Sequence, residues 1–236
     1  MKKITLSLLA AALLALSACT GSFEPPISFD PPGSATETPD EQESSQPSQD
    51  DSGDVITPDE DGYAMGYLGD TLDTAFFDFT INSAYTCEEF DGLTAQEDGV
   101  NYLTEFYGRP APAGGCKFLV VEITLHNNTL STQPMTVVDF QVQWDVQEGD
   151  DPDENYAFPL CRSEINADGE EEYVSLSEQQ LPASYDLGIN EERTGILLYA
   201  VPAGARDYAI YFEEYFADDT VGDLFRVSFN AEEGAQ

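Results

Sequence analysis

Residues 118–126, Phe-Leu-Val-Val-Glu-Ile-Thr-Leu-His, decide the fold predicted for this chain. The odd-numbered positions from Leu119 to Leu125 are all aliphatic, and in a β-strand they share one face because successive side chains alternate. The other face is partly apolar as well, since it carries Phe118 and Val120. A strand that is apolar on both faces is typical of the centre of a sheet covered on both sides.

Short apolar segments separated by Gly, Pro, Asn and Asp surround this strand. The further predicted strands lie at residues 77–85, 138–146, 194–201, 208–212 and 225–229. In the first of them Phe77, Phe79, Ile81 and Tyr85 form the predicted buried face, and in the second Trp144 continues the inward face. Only residues 100–107 and 175–180 could form a turn or two of helix.

Six or seven short strands joined by polar turns predict an all-β fold, an antiparallel β-sandwich spanning residues 64–231. Residues 232–236 are then a short C-terminal tail. One domain of this length is large enough to bury a sizeable core.

The amino terminus has the pattern of a secretory signal. Lys2 and Lys3 precede an apolar run at residues 4–16, which is too short for a membrane span, and small residues follow. The ending Leu-Ser-Ala-Cys resembles the lipobox of bacterial lipoproteins, which implies a signal peptide at residues 1–18, cleavage before Cys19 and a diacylglycerol group on its sulfur. Because two acyl chains make a stable anchor, we expect a lipid-anchored protein on the extracellular face of the bacterial cell membrane.

Residues 19–63 differ in amino-acid composition from the rest of the chain. Between residues 20 and 61 there are seven prolines, many Ser, Gln and acidic residues, and no Lys or Arg. Such a segment cannot bury enough apolar surface to offset its ordering entropy, so a disordered linker is predicted. Prolines and mutually repelling acids should keep it extended, holding the sandwich away from the bilayer.

The charge balance excludes some classes of partner. The chain has 46 Asp and Glu against 8 Lys and Arg, a formal net charge of -38. Binding to nucleic acid, or to anionic lipid through a polybasic patch, requires clustered cations, so neither is expected. The acidic residues indicate either a solvated, repulsive surface or a weak site for Ca²⁺ or a cationic partner.

Several motifs resemble a telokin-like, immunoglobulin-like domain family of unknown function found on Gram-positive lipoproteins. The motifs are residues 116–128 (CKFLVVEITLHNN), 68–70 (LGD), 195–202 (GILLYAVP) and 222–227 (GDLFRV), which together cover about residues 66–230. The resemblance implies an immunoglobulin-like β-sandwich and carries over no catalytic residue. The chain departs from the family's pattern in a long insertion between Cys87 and Gly115 and in an acidic region at 148–173, and we expect any specific role to reside there.

Three cysteines remain once Cys19 is assigned to lipid. Cys87 and Cys116 bracket the long connection between two predicted strands, so antiparallel pairing would bring them together, and a disulfide between them is predicted with Cys161 free. The chain has one histidine and no Cys-x-x-Cys, so the usual zinc signatures are not met and no cofactor is expected.

The titratable residues form no recognisable catalytic set. His126, the single imidazole, ends a strand and is predicted to be a surface or edge residue without a triad around it. Hard-cation binding needs converging oxygen ligands, and the weak candidates are Asp150, Asp151, Asp153, Glu164, Asn166 and Asp168. The last three partly follow an EF-hand loop, but Ser175 occupies the position of its bidentate Glu.

Aromatic residues in the insertion provide the preferred interaction surface, because large side chains in a long loop more often contact a partner: Tyr102, Phe106 and Tyr107. The sequence therefore favours a non-enzymatic surface lipoprotein that presents an immunoglobulin-like domain to an unknown protein, peptide or glycan partner. The alternative is a Ca²⁺-dependent module or an envelope enzyme that uses the acidic loops.

Overall fold

The computed structural model describes residues 53–145, 155–217 and 220–234, which are mostly β-strand. The strands, numbered in chain order, are β1 Val55–Ile56, β2 Tyr63–Gly66, β3 Thr71–Asp73, β4 Asp78–Cys87, β5 Glu89–Phe90, β6 Leu93–Thr94, β7 Cys116–His126, β8 Gln133–Thr136, β9 Gln141–Trp144, β10 Tyr156–Ala157, β11 Cys161–Ile165, β12 Glu171–Ser175, β13 Ser184–Leu187, β14 Glu192–Pro202, β15 Asp207–Tyr215, β16 Val221–Asn230 and β17 Glu232–Glu233. A π-helical turn, Ala95–Gly99, leads into helix α1, Val100–Glu105, and a 3₁₀ turn covers Val137–Asp139. The all-β prediction is confirmed.

Two sheets pack face to face with the strand order of an immunoglobulin-like sandwich. The first sheet has the order β1-β3-β4-β7-β14, and the second has the order β10-β9-β15-β16-β2. The strands β4, β7 and β14 correspond to A, B and E of the immunoglobulin fold, and β9, β15 and β16 correspond to C, F and G. The long strands pair antiparallel, whereas β1 with β3, β2 with β16 and β17 with β4 pair parallel.

Two paired side chains, on β9 and at the start of β15, match features of the immunoglobulin fold. Trp144 on β9 is buried in the main core, as predicted, and lies opposite Tyr208 on β15. The Tyr208 hydroxyl donates a hydrogen bond of 2.8 Å to the carbonyl oxygen of Ala205, three residues upstream. This is the arrangement of a tyrosine corner, which fixes the turn between strands E and F.

Strand β7 is covered on both faces, as its sequence predicts. Leu119, Val121, Ile123 and Leu125 are fully buried between the two sheets. Phe118 and Val120, on the opposite face, are also fully buried, but in a second apolar cluster formed with the insertion. The insertion therefore lies across the outer face of the first sheet and gives the domain a second small core.

A bulge in β4 overturns one detail of the predicted strand pattern. The pairing of β4 with β7 shifts in register between Ile81 and Ser83, so one extra residue enters β4. The bulge reverses the alternation beyond it, because side chains alternate with period two. Tyr85, predicted to face the core, is 37% exposed, whereas Thr86 is buried.

Segments beyond the predicted domain boundaries also take part in the sandwich. Strand β1 pairs with Thr71 and Leu72 of β3, although it lies within the predicted linker, and β17 pairs with β4, although it lies in the predicted tail. Both strands are only two residues long, so they leave little hydrophobic pattern in the sequence. Strands that pair with the sandwich therefore lie outside the predicted span of 64–231, from Val55 to Glu233.

Two short segments show how tertiary packing modifies local prediction. The predicted strand at 138–146 begins as a 3₁₀ turn, so Val138 is exposed, and β9 covers only Gln141–Trp144. Helix α1 forms within the predicted stretch 100–107, whereas residues 176–179 form bends and turns instead of a helix.

Candidate functional site

The three aromatic residues of the insertion lie together at the end of helix α1. Tyr102 and Phe106 are four residues apart and stack with their ring centroids 4.8 Å apart. Tyr107 packs edge-on against Tyr102 at 5.1 Å and also contacts Phe158, with centroids 5.7 Å apart. The predicted interaction residues thus form one cluster, which Phe158 extends.

Members of this cluster differ in accessibility. Tyr102 is only 6% exposed and belongs to the second apolar core, so it acts mainly as a scaffold. Phe106 is 49% exposed, and Tyr107 is half-buried. The surface that a partner could contact is therefore smaller than the sequence predicted and centres on Phe106.

Specific contacts hold the insertion in place beneath the aromatic cluster. Gly99 permits close approach to the sheet, since a Cβ atom at this position would lie 3.1 Å from that of Ala200. The Gln96 side-chain amide donates a 2.7 Å hydrogen bond to the carbonyl oxygen of Cys116. At the other end Arg109 donates a hydrogen bond to the Tyr156 carbonyl oxygen, and its guanidinium lies 3.9 Å from the centroid of the Tyr156 ring.

An open groove of about 1340 Å³ runs beside the aromatic cluster. Its floor contains Phe106, Tyr107 and Phe158, one wall is formed by residues 171–178, and the other is formed by Thr136, Val138 and residues 182–184. The groove is larger than the pockets of roughly 300–1,000 Å³ that hold drug-sized ligands. Its volume and aromatic lining suit a ligand larger than a small molecule.

The hairpin of β11 and β12 forms the first wall of the groove. Its five residue pairs run from Cys161 opposite Ser175 to Ile165 opposite Glu171. The turn depends on Asn166, whose Oδ1 accepts hydrogen bonds from the backbone N–H groups of Asp168 and Glu170, and on Gly169, which has a φ of +83°. The hairpin was not predicted from the sequence, because its strands are mostly polar and show no buried alternation.

The rim of the groove carries excess negative charge. Glu171, Glu172 and Glu178 line it, and the one cation in the same lining, Arg162, is paired with Glu164 at 2.6 Å. Both members of that pair are largely exposed to solvent, so the pair contributes little to stability. It does neutralise the arginine, and the rim therefore favours cationic ligands.

The hydroxyl and thiol groups at the groove floor are held in their neutral forms. The Tyr102 hydroxyl lies 3.4 Å from that of Tyr107 and 3.7 Å from the sulfur of Cys161. Burial raises the pKa of Tyr102 to about 12 and also raises the pKa of Tyr107 and of the Cys161 thiol. A protonated thiol is a poor nucleophile, so the arrangement suits binding better than covalent chemistry.

The predicted disulfide between Cys87 and Cys116 is absent, and both residues are free thiols, as is Cys161. Strands β4 and β7 do pair antiparallel as expected, but the residue opposite Cys87 is Phe118. Cys87 and Cys116 are therefore diagonal neighbours, a relation that separates residues by about 7–8 Å. A disulfide requires Cβ atoms about 3.5–4.5 Å apart, so the register explains why the bridge does not form.

The weak candidates for a metal site do not come together in the described residues. Glu164 pairs with Arg162, Asn166 is engaged in the turn, and Asp168 lies exposed in that turn. Asp150, Asp151 and Asp153 lie outside the described residues, as does Cys19. Within residues 53–145, 155–217 and 220–234, no group of three or more His, Cys, Asp or Glu side chains is arranged to hold a metal ion.

His126 lies at the end of β7, where the sequence placed it. Its Nδ1 is 3.4 Å from Oδ2 of Asp78, and about two fifths of its side chain is exposed. Asp78 also accepts a 2.7 Å hydrogen bond from the Asn128 side chain. The histidine therefore belongs to a polar cluster that joins two strand ends, consistent with an edge residue.

Comparison with known proteins finds only distant similarity, to a few solved structures. No protein-family model matches the chain, and no curated protein matches it. Among solved structures it is similar to a candidate lipoprotein, ycdA, from Bacillus subtilis at 9% identity and a TM-score of 0.42, covering 68% of this chain and 38% of that one. It is also similar to the yjhA protein of Bacillus subtilis, at 13% identity and a TM-score of 0.42, covering 69% and 99% of the two chains.

A further similar structure is an uncharacterized β-sandwich protein from Clostridium difficile 630, at 9% identity and a TM-score of 0.35, with 78% of this chain and 100% of that one covered. The chain spans only 38% of the length of ycdA. Of the residues that the structure describes, none belongs to a helix long and apolar enough to cross a bilayer.

Proposed function

We propose that this chain is a bacterial surface lipoprotein whose immunoglobulin-like domain binds a ligand in the aromatic groove, without carrying out a reaction. The observation that carries the proposal is the convergence of Phe106, Tyr107 and Phe158 on one open groove with an acidic rim. Exposed aromatic side chains beside a concave surface are typical of binding sites, because they bury much apolar area on contact.

Attachment to the membrane is the second component of the proposal and depends on the lipobox. Cys19 would carry the lipid, and the acidic, proline-rich residues that follow it would space the domain from the bilayer. The full chain expressed in a Gram-positive host should fractionate with membranes, whereas the Cys19→Ser variant should be released. Equal membrane retention of both would contradict the anchor.

Photo-crosslinking tests whether the groove is the binding surface. A photoreactive phenylalanine analogue placed at Phe106 or at Tyr173, which is 58% exposed, should crosslink the anchored chain to an envelope component in intact cells. The control position is Leu130, which is 94% exposed and does not line the groove. Adducts of equal yield at all three positions, or none at the groove positions, would refute groove binding.

A further inference from the structure

The outer edge of β12 is unpaired. Strand β12 is hydrogen-bonded to β11 on one side only, and among the described residues no strand pairs with its other edge. All five residues of β12 line the groove, whereas β11 contributes only Cys161 and Arg162. The groove therefore lies mainly on the side of the open edge of β12.

Across the groove lies a second wall that does not close this edge. It consists of Thr136, Val138 and residues 182–184, at the end of the ribbon formed by β8 and β13. The two walls join at one end, where the Ser175 hydroxyl donates a 2.5 Å hydrogen bond to the Leu181 carbonyl oxygen. Strand β12 itself, from Glu171 to Ser175, spans about 17 Å for five residues, which sets the length of edge available for pairing.

The hairpin that borders this space is an incomplete sheet. Two strands alone are marginally stable in water, whereas a third strand makes a small sheet substantially more stable. Tyr173 and Ile165 on the hairpin are 58% and 69% exposed, so one of its faces presents apolar area that is not covered. An added strand would satisfy the open backbone groups and bury part of this area.

Charge selects the kind of strand that fits. Glu171, Glu172 and Glu178 surround the edge, and acidic residues at an open edge repel acidic strands. The chain's own residues 20–52 contain acids but no Lys or Arg, and a second copy carries the same formal charge of -38. Both are electrostatically unfavourable occupants, so the complementary partner is a foreign segment that carries cations.

We infer that the groove binds an extended, basic peptide segment by strand addition to the open edge of β12, with its apolar side chains against Phe106 and Tyr173. This inference rests on the proposed binding role of the groove and specifies the partner. Backbone hydrogen bonds to β12 provide affinity that depends little on sequence, while the aromatic floor and the acidic rim select alternating apolar and cationic side chains.

The first experiment uses a defined probe and the full chain purified in detergent. The probe is an acetylated and amidated eight-residue peptide of alternating Lys and Val, compared with a copy in which Glu replaces Lys. Calorimetry should show binding of the Lys peptide, weakened by salt, and none of the Glu peptide. Amide hydrogen exchange should slow at residues 171–175 on binding. Failure of the Lys peptide to bind, or protection elsewhere only, would overturn the inference.

Backbone pairing is tested by N-methylation of the probe. In a strand, the backbone N–H groups of alternate residues point to the same edge. One probe is methylated at the backbone nitrogen of every Lys and the other at that of every Val. Only one of these sets can face β12, so one probe should retain its affinity and the other should lose it. Equal effects of both would contradict strand addition while leaving ligand binding by the groove intact. If an N-acetylglucosamine oligosaccharide bound in the groove without slowing amide exchange in β12, the ligand would be a glycan and the peptide inference would be overturned.

Matched charge variants test the acidic rim. The triple variant Glu171→Gln, Glu172→Gln and Glu178→Gln should weaken binding of the Lys peptide about tenfold, since each rim pair contributes modestly. The control removes three exposed acids that do not line the groove, by Glu60→Gln, Glu89→Gln and Glu192→Gln. Equal weakening by both triple variants would mean that only the overall charge attracts the peptide, and it would refute a specific acidic rim. The crosslinking at Phe106 tests the proposed function independently of any peptide.

Discussion

Alanine substitutions of the two stacked aromatic residues should distinguish the residue that supports the groove from the one that is exposed on its surface. Tyr102 is 6% exposed, and truncating a buried aromatic side chain to Ala costs about 3–5 kcal/mol of unfolding free energy. Phe106 is 49% exposed, and burying a whole Phe side chain contributes about 1.5–3 kcal/mol, so its half-burial contributes about 1 kcal/mol. We therefore expect a loss of about 4 kcal/mol for Tyr102→Ala and of about 1 kcal/mol for Phe106→Ala.

The assay is urea unfolding at fixed pH, followed by the fluorescence of Trp144, which is the only tryptophan in the chain. Leu130→Ala is the control, because a side chain that is 94% exposed should change the unfolding free energy by less than about 0.5 kcal/mol. A loss for Phe106→Ala as large as that for Tyr102→Ala would refute the division between surface and scaffold. In that case Phe106 would be a core residue and could not serve as a contact for a partner.

Three further substitutions test the fold. Tyr208→Phe removes the hydrogen bond of the tyrosine corner and should lower the unfolding free energy by about 1 kcal/mol in urea, whereas Tyr63→Phe at an exposed position should not. Asn127 is fully buried, and its side-chain amide donates hydrogen bonds to two carbonyl oxygens. Asn127→Ala should therefore lower the unfolding free energy by about 3 kcal/mol in the same assay, and Asn128→Ala, at an exposed position, by less than about 1 kcal/mol. Equal losses would contradict this reasoning. Although the surface of Asp139 as a whole is exposed, desolvation of its carboxyl group by neighbouring atoms raises its pKa from 3.8 to about 6, so its ionisation opposes folding as pH rises through that window. Relative to the unsubstituted protein, Asp139→Asn should therefore gain about 1 kcal/mol between pH 4 and pH 7, after allowance for solvent screening, and a pH-independent difference would refute the shift.

The sequence was sufficient for the parts of the fold that depend on hydrophobic periodicity. The burial of both faces of β7 could be predicted, because both faces carry apolar residues. Leu119 lies in the main core between the sheets, and Phe118 lies in the second apolar cluster. The bulge between Ile81 and Ser83 could not be predicted, because one extra residue leaves no compositional signal while it reverses every side chain beyond it. The disulfide prediction was wrong for a related reason, since it required a register that spacing along the chain does not specify.

The candidate site was predictable only in part. The aromatic residues of the insertion were identified because large side chains in a long connection are unusual. The opposite wall was not, because β11 and β12 contain Arg162, Glu164, Glu171 and Glu172, and such polar strands are specified by the turn at Asn166 and by packing at their base. The groove exists only because the fold brings these two distant segments side by side.

The parallel pairing of β2 with β16 has a mechanical consequence. Tyr63–Gly66 runs alongside Leu224 to Val227 in the same direction, so tension applied between the amino terminus and the carboxyl end of β16 pulls the two strands past each other lengthwise. In that geometry the hydrogen bonds between the two strands are loaded in shear and must break together, instead of one after another. A domain pulled through its amino-terminal end would therefore resist extension more strongly than one whose terminal strands peel apart.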